Sequence, residues 1–203
     1  MAKPSRSRFL MALAGSKLSP ASDELVSPRD LVLVLADLPA GWVSKGGREW
    51  RTGLQSDEGW AVRARAVRGR SYVEGFQRGD DAWESVNSQA TPLRSAADAA
   101  EALALVPERM LRNPDPSVRH MGTAELELPE PVGDGHRCLR HAVQNARRPT
   151  WHGLSYVVAW HRGSVLATVI AAGAAETLDP GWVLALAHAQ DARIAAVLAA
   201  RAD

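Results

Sequence analysis

The chain has 203 residues, of which 46% are hydrophobic, and this composition favours a folded domain over a disordered chain. Its 24 Lys and Arg residues nearly balance its 23 Asp and Glu residues, which argues against a nucleic-acid-binding domain because such domains are usually strongly basic. The single cysteine excludes an intrachain disulfide and any cysteine-rich zinc site.

The first 26 residues are rich in Ser, Pro and charge and show no hydrophobic periodicity. They are predicted to form a mobile tail, and residues 27–203 a single domain. Lys3, Arg6 and Arg8 precede the apolar stretch FLMALAG, which is the order of an export signal, but this stretch is short and lacks a clear cleavage site. A cytoplasmic location is therefore predicted, with export as the alternative. No segment contains the 18 apolar residues that indicate a membrane span.

The stretch SPRDLVLVLADLPAG predicts a first helix, with Ser27 as N-cap, Pro28 in its first turn, and Pro39 and Gly41 at its end. The apolar run 31–35 is also compatible with a buried strand. Three strands are predicted next, over 42–51, 71–77 and 83–90. Between the first two, the segment 59–70 is compatible with either a helix or a strand.

A second helix is predicted at SAADAAEALALVPERML, where Ser95 is the expected N-cap. Four strands follow, over 119–128, 136–145, 154–162 and 164–171. The last two are apolar on both faces, which is typical of strands covered on both sides, and Gly163 supplies the tight turn between them. A final helix is predicted from Asp179, its N-cap, to about Arg201. The pattern predicts an α+β fold, in which a mainly antiparallel sheet of six to seven strands has helices on both faces.

Four stretches carry a resemblance: LADLPAGW, REWRTG, YVVAWHRGSVLATVIAAG and LALAHAQDARIAAVL. They resemble an uncharacterised actinobacterial family with an LPxGW turn, a late hairpin and a C-terminal helix. The outline is also similar to PsbP-like lipoprotein and sensor domains. The resemblance implies a PsbP-like sandwich over residues 27–203 and supplies no catalytic residues. Lipoprotein members carry a lipidation cysteine that this chain lacks.

Residue types that could support catalysis or metal binding are sparse. His136 and Cys138 would share one face of a strand and His141 would point to the other, so two ligands converge where a metal needs about four. No metal site, cofactor or catalytic residue is predicted, and the chain is not expected to be an enzyme. An unrecognised active site around Cys138 and His136 is the enzymatic alternative.

Tryptophan is the enriched residue type, with seven copies against two Tyr and two Phe. Because tryptophan suits both core edges and pocket walls, the seven residues are compatible with ordinary packing or with a ligand pocket. The predicted ligand-binding residues are Trp42, Trp50, Trp60, Trp151 and Trp160. The predicted function is a non-catalytic binding domain for a protein partner or a small apolar ligand. The alternative is an exported or envelope-associated sensor or lipoprotein-like domain. The sequence does not indicate an oligomeric state.

Overall fold

The computed structural model describes residues 26–51, 70–79, 84–106, 118–145 and 152–201. The predicted N-terminal tail up to residue 25 and the ambiguous segment 59–69 lie outside these residues. Seven strands are present in the described ranges, each close to its predicted position. They are β1 (Trp42–Arg51), β2 (Arg70–Arg78), β3 (Ser85–Pro92), β4 (Val118–Leu126), β5 (Gly135–Asn145), β6 (His152–Arg162) and β7 (Val165–Ala174).

The strands form one sheet in the order β1-β2-β3-β7-β6-β5-β4, and every neighbouring pair is antiparallel. Two meanders, β1 to β3 and β4 to β7, are joined where β3 pairs with β7. The hairpin β6–β7 therefore lies inside the sheet, which explains why its strands are apolar on both faces. The predicted α+β fold class is confirmed.

In the part of the chain that the structure describes, two α-helices cover opposite faces of the sheet. Helix α1 (Ala96–Ala104) packs with Leu103 on Val157 and Ala159, whereas helix α2 (Pro180–Ala199) packs on the face that contains Val158 and Trp160. Alternate residues of β6 thus point into two separate clusters.

Both helices begin at the residues that the sequence predicts. The Ser95 hydroxyl accepts the Asp98 N–H at 3.1 Å, and the Asp179 carboxylate accepts the Gly181 N–H at 2.9 Å. Each cap satisfies a backbone donor that the first helical turn leaves without an intrahelical partner.

The predicted first helix is wrong. Residues Pro28–Leu31 and Leu35–Asp37 form only short 3-10 turns, and Ser27 makes no side-chain capping bond. Leu31, Val32 and Leu33 are all buried, whereas an α-helix lying on a sheet buries one stripe rather than three consecutive residues. The Leu33 N–H instead donates to the Ser88 hydroxyl on β3 at 2.9 Å, so contact with the sheet overrides the local helix signals.

The β6–β7 turn has the geometry expected from its glycine. Gly163 has a φ of 52°, and positive φ at the first loop position is the pattern of a type II′ turn. The Gly163 N–H donates to the Asp134 carboxylate at 2.7 Å, and the Asp134 N–H donates to the His161 carbonyl at 2.8 Å. The loop before β5 is therefore fastened to this turn.

Candidate functional site

A cleft of about 300 Å³ lies at the end of the sheet where β7 finishes and α2 begins. We call it the tryptophan cleft. Its lining comes from the turn before β1, the end of β2, the residue before β3, the end of β7 and the start of α2. These residues are Pro39, Trp42, Arg78, Glu84, Ala172, Gly173, Thr177, Leu178, Asp179 and Trp182.

Two tryptophans form the aromatic wall of this cleft. The ring centroids of Trp42 and Trp182 are 5.4 Å apart and their planes are tilted by 31°, within the usual range for interacting aromatic rings. Trp42 is buried and Trp182 is half-buried. Each ring therefore supports the other, and Trp182 offers more of its surface to the cleft.

The remaining chemistry of the cleft is polar and sits around the aromatic wall. The Arg78 guanidinium lies 3.5 Å from the Glu84 carboxylate, which also accepts a hydrogen bond from the Thr177 hydroxyl at 3.3 Å. Asp179 adds a second carboxylate, held by its capping bond to Gly181. Apolar rings beside one cation and two carboxylates suit a small ligand with an apolar or planar body and a polar substituent.

Among the predicted binding residues, the structure describes the side chains of Trp42 and Trp160, and these two lie in different surroundings. Trp42 lines the tryptophan cleft, whereas Trp160 is completely buried and donates its indole N–H to Asp191 on α2 at 3.0 Å. The side chain of Trp50 and the whole of Trp60 and Trp151 lie outside the described residues. A ligand-binding role for the five predicted tryptophans stays a prediction.

Trp182 was missed as a binding residue, although the sequence holds a signal for it. Both tryptophans of the cleft end a short turn motif, PAGW at 39–42 and PGW at 180–182. Pro and Gly before each tryptophan break the preceding segment and place the ring at the start of the next element. A repeated turn-plus-tryptophan motif can therefore point to two rings at one end of a sheet.

The enzymatic alternative concerned a site around Cys138 and His136. Cys138 is buried in the main core, and this burial raises the pKa of its thiol, the opposite direction from a reactive thiol. His141 lies on the other face of β5, where its ring nitrogen Nδ1 is 2.8 Å from the Thr123 hydroxyl. Within the described ranges, no group of three or more His, Cys, Asp or Glu residues is placed to hold a metal ion.

No helix among the described residues is long and apolar enough to cross a membrane.

No family model and no curated protein matches the chain. A solved structure does show a similar fold. The extracellular domain of PknH from Mycobacterium tuberculosis matches with a TM-score of 0.57 and 10% identity, over 82% of this chain and 95% of that one. An uncharacterised protein from Mycobacterium smegmatis matches with a TM-score of 0.44 and 13% identity, over 78% of this chain and 92% of that one. The chain therefore shares its fold with a mycobacterial extracellular domain.

Proposed function

We propose that the chain is a non-catalytic ligand-binding domain that works outside the cytoplasm, as part of an exported or envelope-associated protein. Its ligand is a small molecule with an apolar or planar body, and the tryptophan cleft is its binding site. The observation that carries the proposal is the wall formed by Trp42 and Trp182 beside Arg78, Glu84 and Asp179.

The shape and lining of the cleft support ligand binding. Its volume of about 300 Å³ is at the lower end of the range for small-molecule sites, and apolar rings with a few polar groups are the usual lining of such sites. Arg78 and Glu84 can each exchange their mutual contact for a ligand group, because the side chain of Arg78 is 58% exposed and the pair is weakly held in water.

The shared fold supports a location outside the cytoplasm. The similar domain of PknH is extracellular, and the basic N-terminal residues with the FLMALAG stretch have the order of an export signal. Fold likeness at 10% identity does not transfer a ligand, so the ligand class rests on the cleft alone.

Fluorine NMR of protein labelled with 5-fluorotryptophan tests the binding site directly. The signals of Trp42, Trp182 and Trp160 are assigned from single Trp→Phe variants, and the protein is titrated with indole, benzylamine and benzoate. At least one probe is expected to shift the Trp42 and Trp182 signals to saturation. Trp160 is the internal control, because its ring is fully buried and should not respond.

Two outcomes would reject the site. In the first, none of the three probes shifts the Trp42 and Trp182 signals. In the second, the Trp160 signal moves as much as theirs, which indicates general loosening rather than binding. Tighter binding of benzylamine than of benzoate would show that the two carboxylates dominate the electrostatic potential of the cleft. Tighter binding of benzoate would show that Arg78 dominates it.

Location is tested separately, by fractionating the native cells and determining the N-terminus of the protein by mass spectrometry. The proposal expects the protein in the envelope or the culture medium. Protein found only in the cytosol would reject this part of the proposal and leave the binding site unaffected.

A further inference from the structure

A second cleft, of about 340 Å³, lies on the other side of the first turn of α2. We call it the apolar cleft. Its walls come from the end of β4, the loop that follows, β5, β6 and the start of α2. The lining residues are Leu126, Glu127, Leu128, Pro129, Cys138, Tyr156, Val158, Pro180, Gly181, Val183 and Leu184.

The walls of the apolar cleft carry almost no charge. Cys138, Val158 and Val183 are buried, and Leu126 and Leu184 pack against them as part of the main core. Burial raises the pKa of the Cys138 thiol, so it is uncharged at neutral pH. Glu127, the one carboxylate of the lining, is exposed just after the end of β4. An anionic ligand would lose its hydration here without gaining a cationic partner among the lining residues.

Tyr156 supplies the one side-chain hydroxyl of this lining, on a residue that is only 6% exposed. A tyrosine hydroxyl can both donate and accept a hydrogen bond, and the rest of its ring is apolar. In an otherwise apolar wall, this hydroxyl marks where an uncharged polar atom of a ligand would sit.

We propose that the apolar cleft is a second binding site, specific for an uncharged aliphatic molecule with one hydrogen-bonding oxygen, such as an alcohol or an ester. The hydrocarbon part packs against Leu126, Val158 and Leu184, and the oxygen pairs with the Tyr156 hydroxyl. The volume suits a single short chain rather than a two-chain lipid. This site does not depend on the tryptophan cleft, since the two linings share no residue.

The test is a titration of the full chain with 1-hexanol, using hexanoate as the charged analogue of the same chain length. Amide signals in ¹H–¹⁵N NMR spectra report where each probe binds. Hexanol is expected to shift the amides of Leu126, Leu128 and Leu184 to saturation, and hexanoate to bind at least tenfold more weakly because its charge would be desolvated.

Two variants make the test specific. Tyr156→Phe keeps the ring and removes the hydroxyl, so hexanol affinity should fall about fivefold, the effect of one hydrogen bond. Leu184→Trp fills the cleft and should abolish the shifts. Leu35→Trp, the same change at an exposed leucine that lines neither cleft, is the matched control and should leave hexanol affinity unchanged.

Several results would overturn the proposal: no saturable shift with hexanol, equal binding of hexanoate, or unchanged hexanol affinity in Tyr156→Phe. Hexanol shifts centred on Trp182 instead would assign the alcohol to the tryptophan cleft. Because Tyr156→Phe is nearly isosteric, the test stands even if Leu184→Trp does not fold.

Discussion

Replacing Asp191 by alanine should be one of the most destabilising single changes in α2, because this buried carboxylate joins the helix to the hairpin β6–β7. One of its oxygens accepts the Trp160 indole N–H at 3.0 Å and the Arg162 Nε–H at 2.7 Å. The other oxygen accepts a second guanidinium N–H from Arg162. The hydrogen bonding of Arg162 to this carboxylate is the main cause of the raised pKa of the Arg162 guanidinium.

The magnitude follows from the exposure of the two donors. Without the carboxylate, the fully buried indole N–H of Trp160 has no acceptor, which costs about 1–3 kcal/mol. The Arg162 side chain is 32% exposed and can turn towards water or towards Asp134, 3.9 Å away. Losing the ion pair between Arg162 and Asp191 should therefore cost about 1 kcal/mol, as for a surface pair. A fully buried pair would cost about 3–5 kcal/mol. The free energy of unfolding should fall by about 2–4 kcal/mol in total.

Urea unfolding followed by circular dichroism measures this loss, with Glu101→Ala as the control because Glu101 is an exposed carboxylate on α1. A double-mutant cycle with Trp160→Phe isolates the indole bond. Asp191→Ala should cost less in the background of the Trp160→Phe variant, since no indole N–H is then left unpaired. A cost below about 1 kcal/mol, or an equal cost in both backgrounds, would refute the reasoning.

Two further predictions concern a glycine and a surface ion pair. Gly133→Ala should destabilise the fold more than Gly79→Ala, although both glycines have φ near 60°. A Cβ on Gly133 would lie 2.3 Å from the His161 carbonyl oxygen, whereas a Cβ on Gly79 would have no atom of the described residues within 4 Å. Thermal unfolding of the two variants checks this, and equal losses would contradict it. The hydrogen bonds that Arg137 donates are the main cause of the lowered pKa of Glu125 in the folded state. This ion pair therefore stabilises the fold at pH values above the ordinary carboxyl pKa, and the stabilisation is lost as the pH falls through the lowered pKa of Glu125. The stability difference between the wild type and Glu125→Gln, about 1 kcal/mol or less at pH 7, should therefore vanish in acid. A difference that persists at low pH would show another cause.

Features with a local cause could be predicted from the sequence. The hairpin β6–β7 is encoded by two apolar runs around Gly163, and the starts of both α-helices are encoded by Ser95 and Asp179, whose side chains bond to backbone donors three or fewer residues away. Such contacts form between neighbours in the chain, so spacing and residue type are sufficient to locate them.

Features with a distant cause could not be predicted in this way. Pro28 and Asp30 give residues 27–38 the start signals of a helix, but the segment is extended where Leu33 bonds to Ser88 on β3. Trp42 and Trp182 meet only because β3 pairs with β7, which brings the first meander beside the start of α2. The pairing of two meanders is a property of the whole sheet, and no short window of sequence contains it.

The buried amide of Gln190 is a further example, since hydrophobic periodicity gives no reason to expect it in the core. Its Oε1 accepts the Ser88 hydroxyl at 2.7 Å and its Nε2 donates to the Gln89 carbonyl at 3.0 Å. The Ser88 oxygen in turn accepts the Leu33 N–H. One hydrogen-bonded chain therefore runs from α2 through β3 to the extended segment that replaced the predicted helix.

This chain of bonds predicts different effects for its two ends. Ser88→Ala removes the acceptor of the Leu33 N–H, so hydrogen exchange at Leu33 should accelerate strongly. Gln190→Met, which keeps the side-chain length, should lower the free energy of unfolding by about 1–3 kcal/mol through unpaired groups on β3. It should leave Leu33 protected relative to global unfolding, because the Ser88 oxygen still accepts that bond. If exchange at Leu33 is as fast in Gln190→Met as in Ser88→Ala, the segment is held by Gln190 and not by the serine.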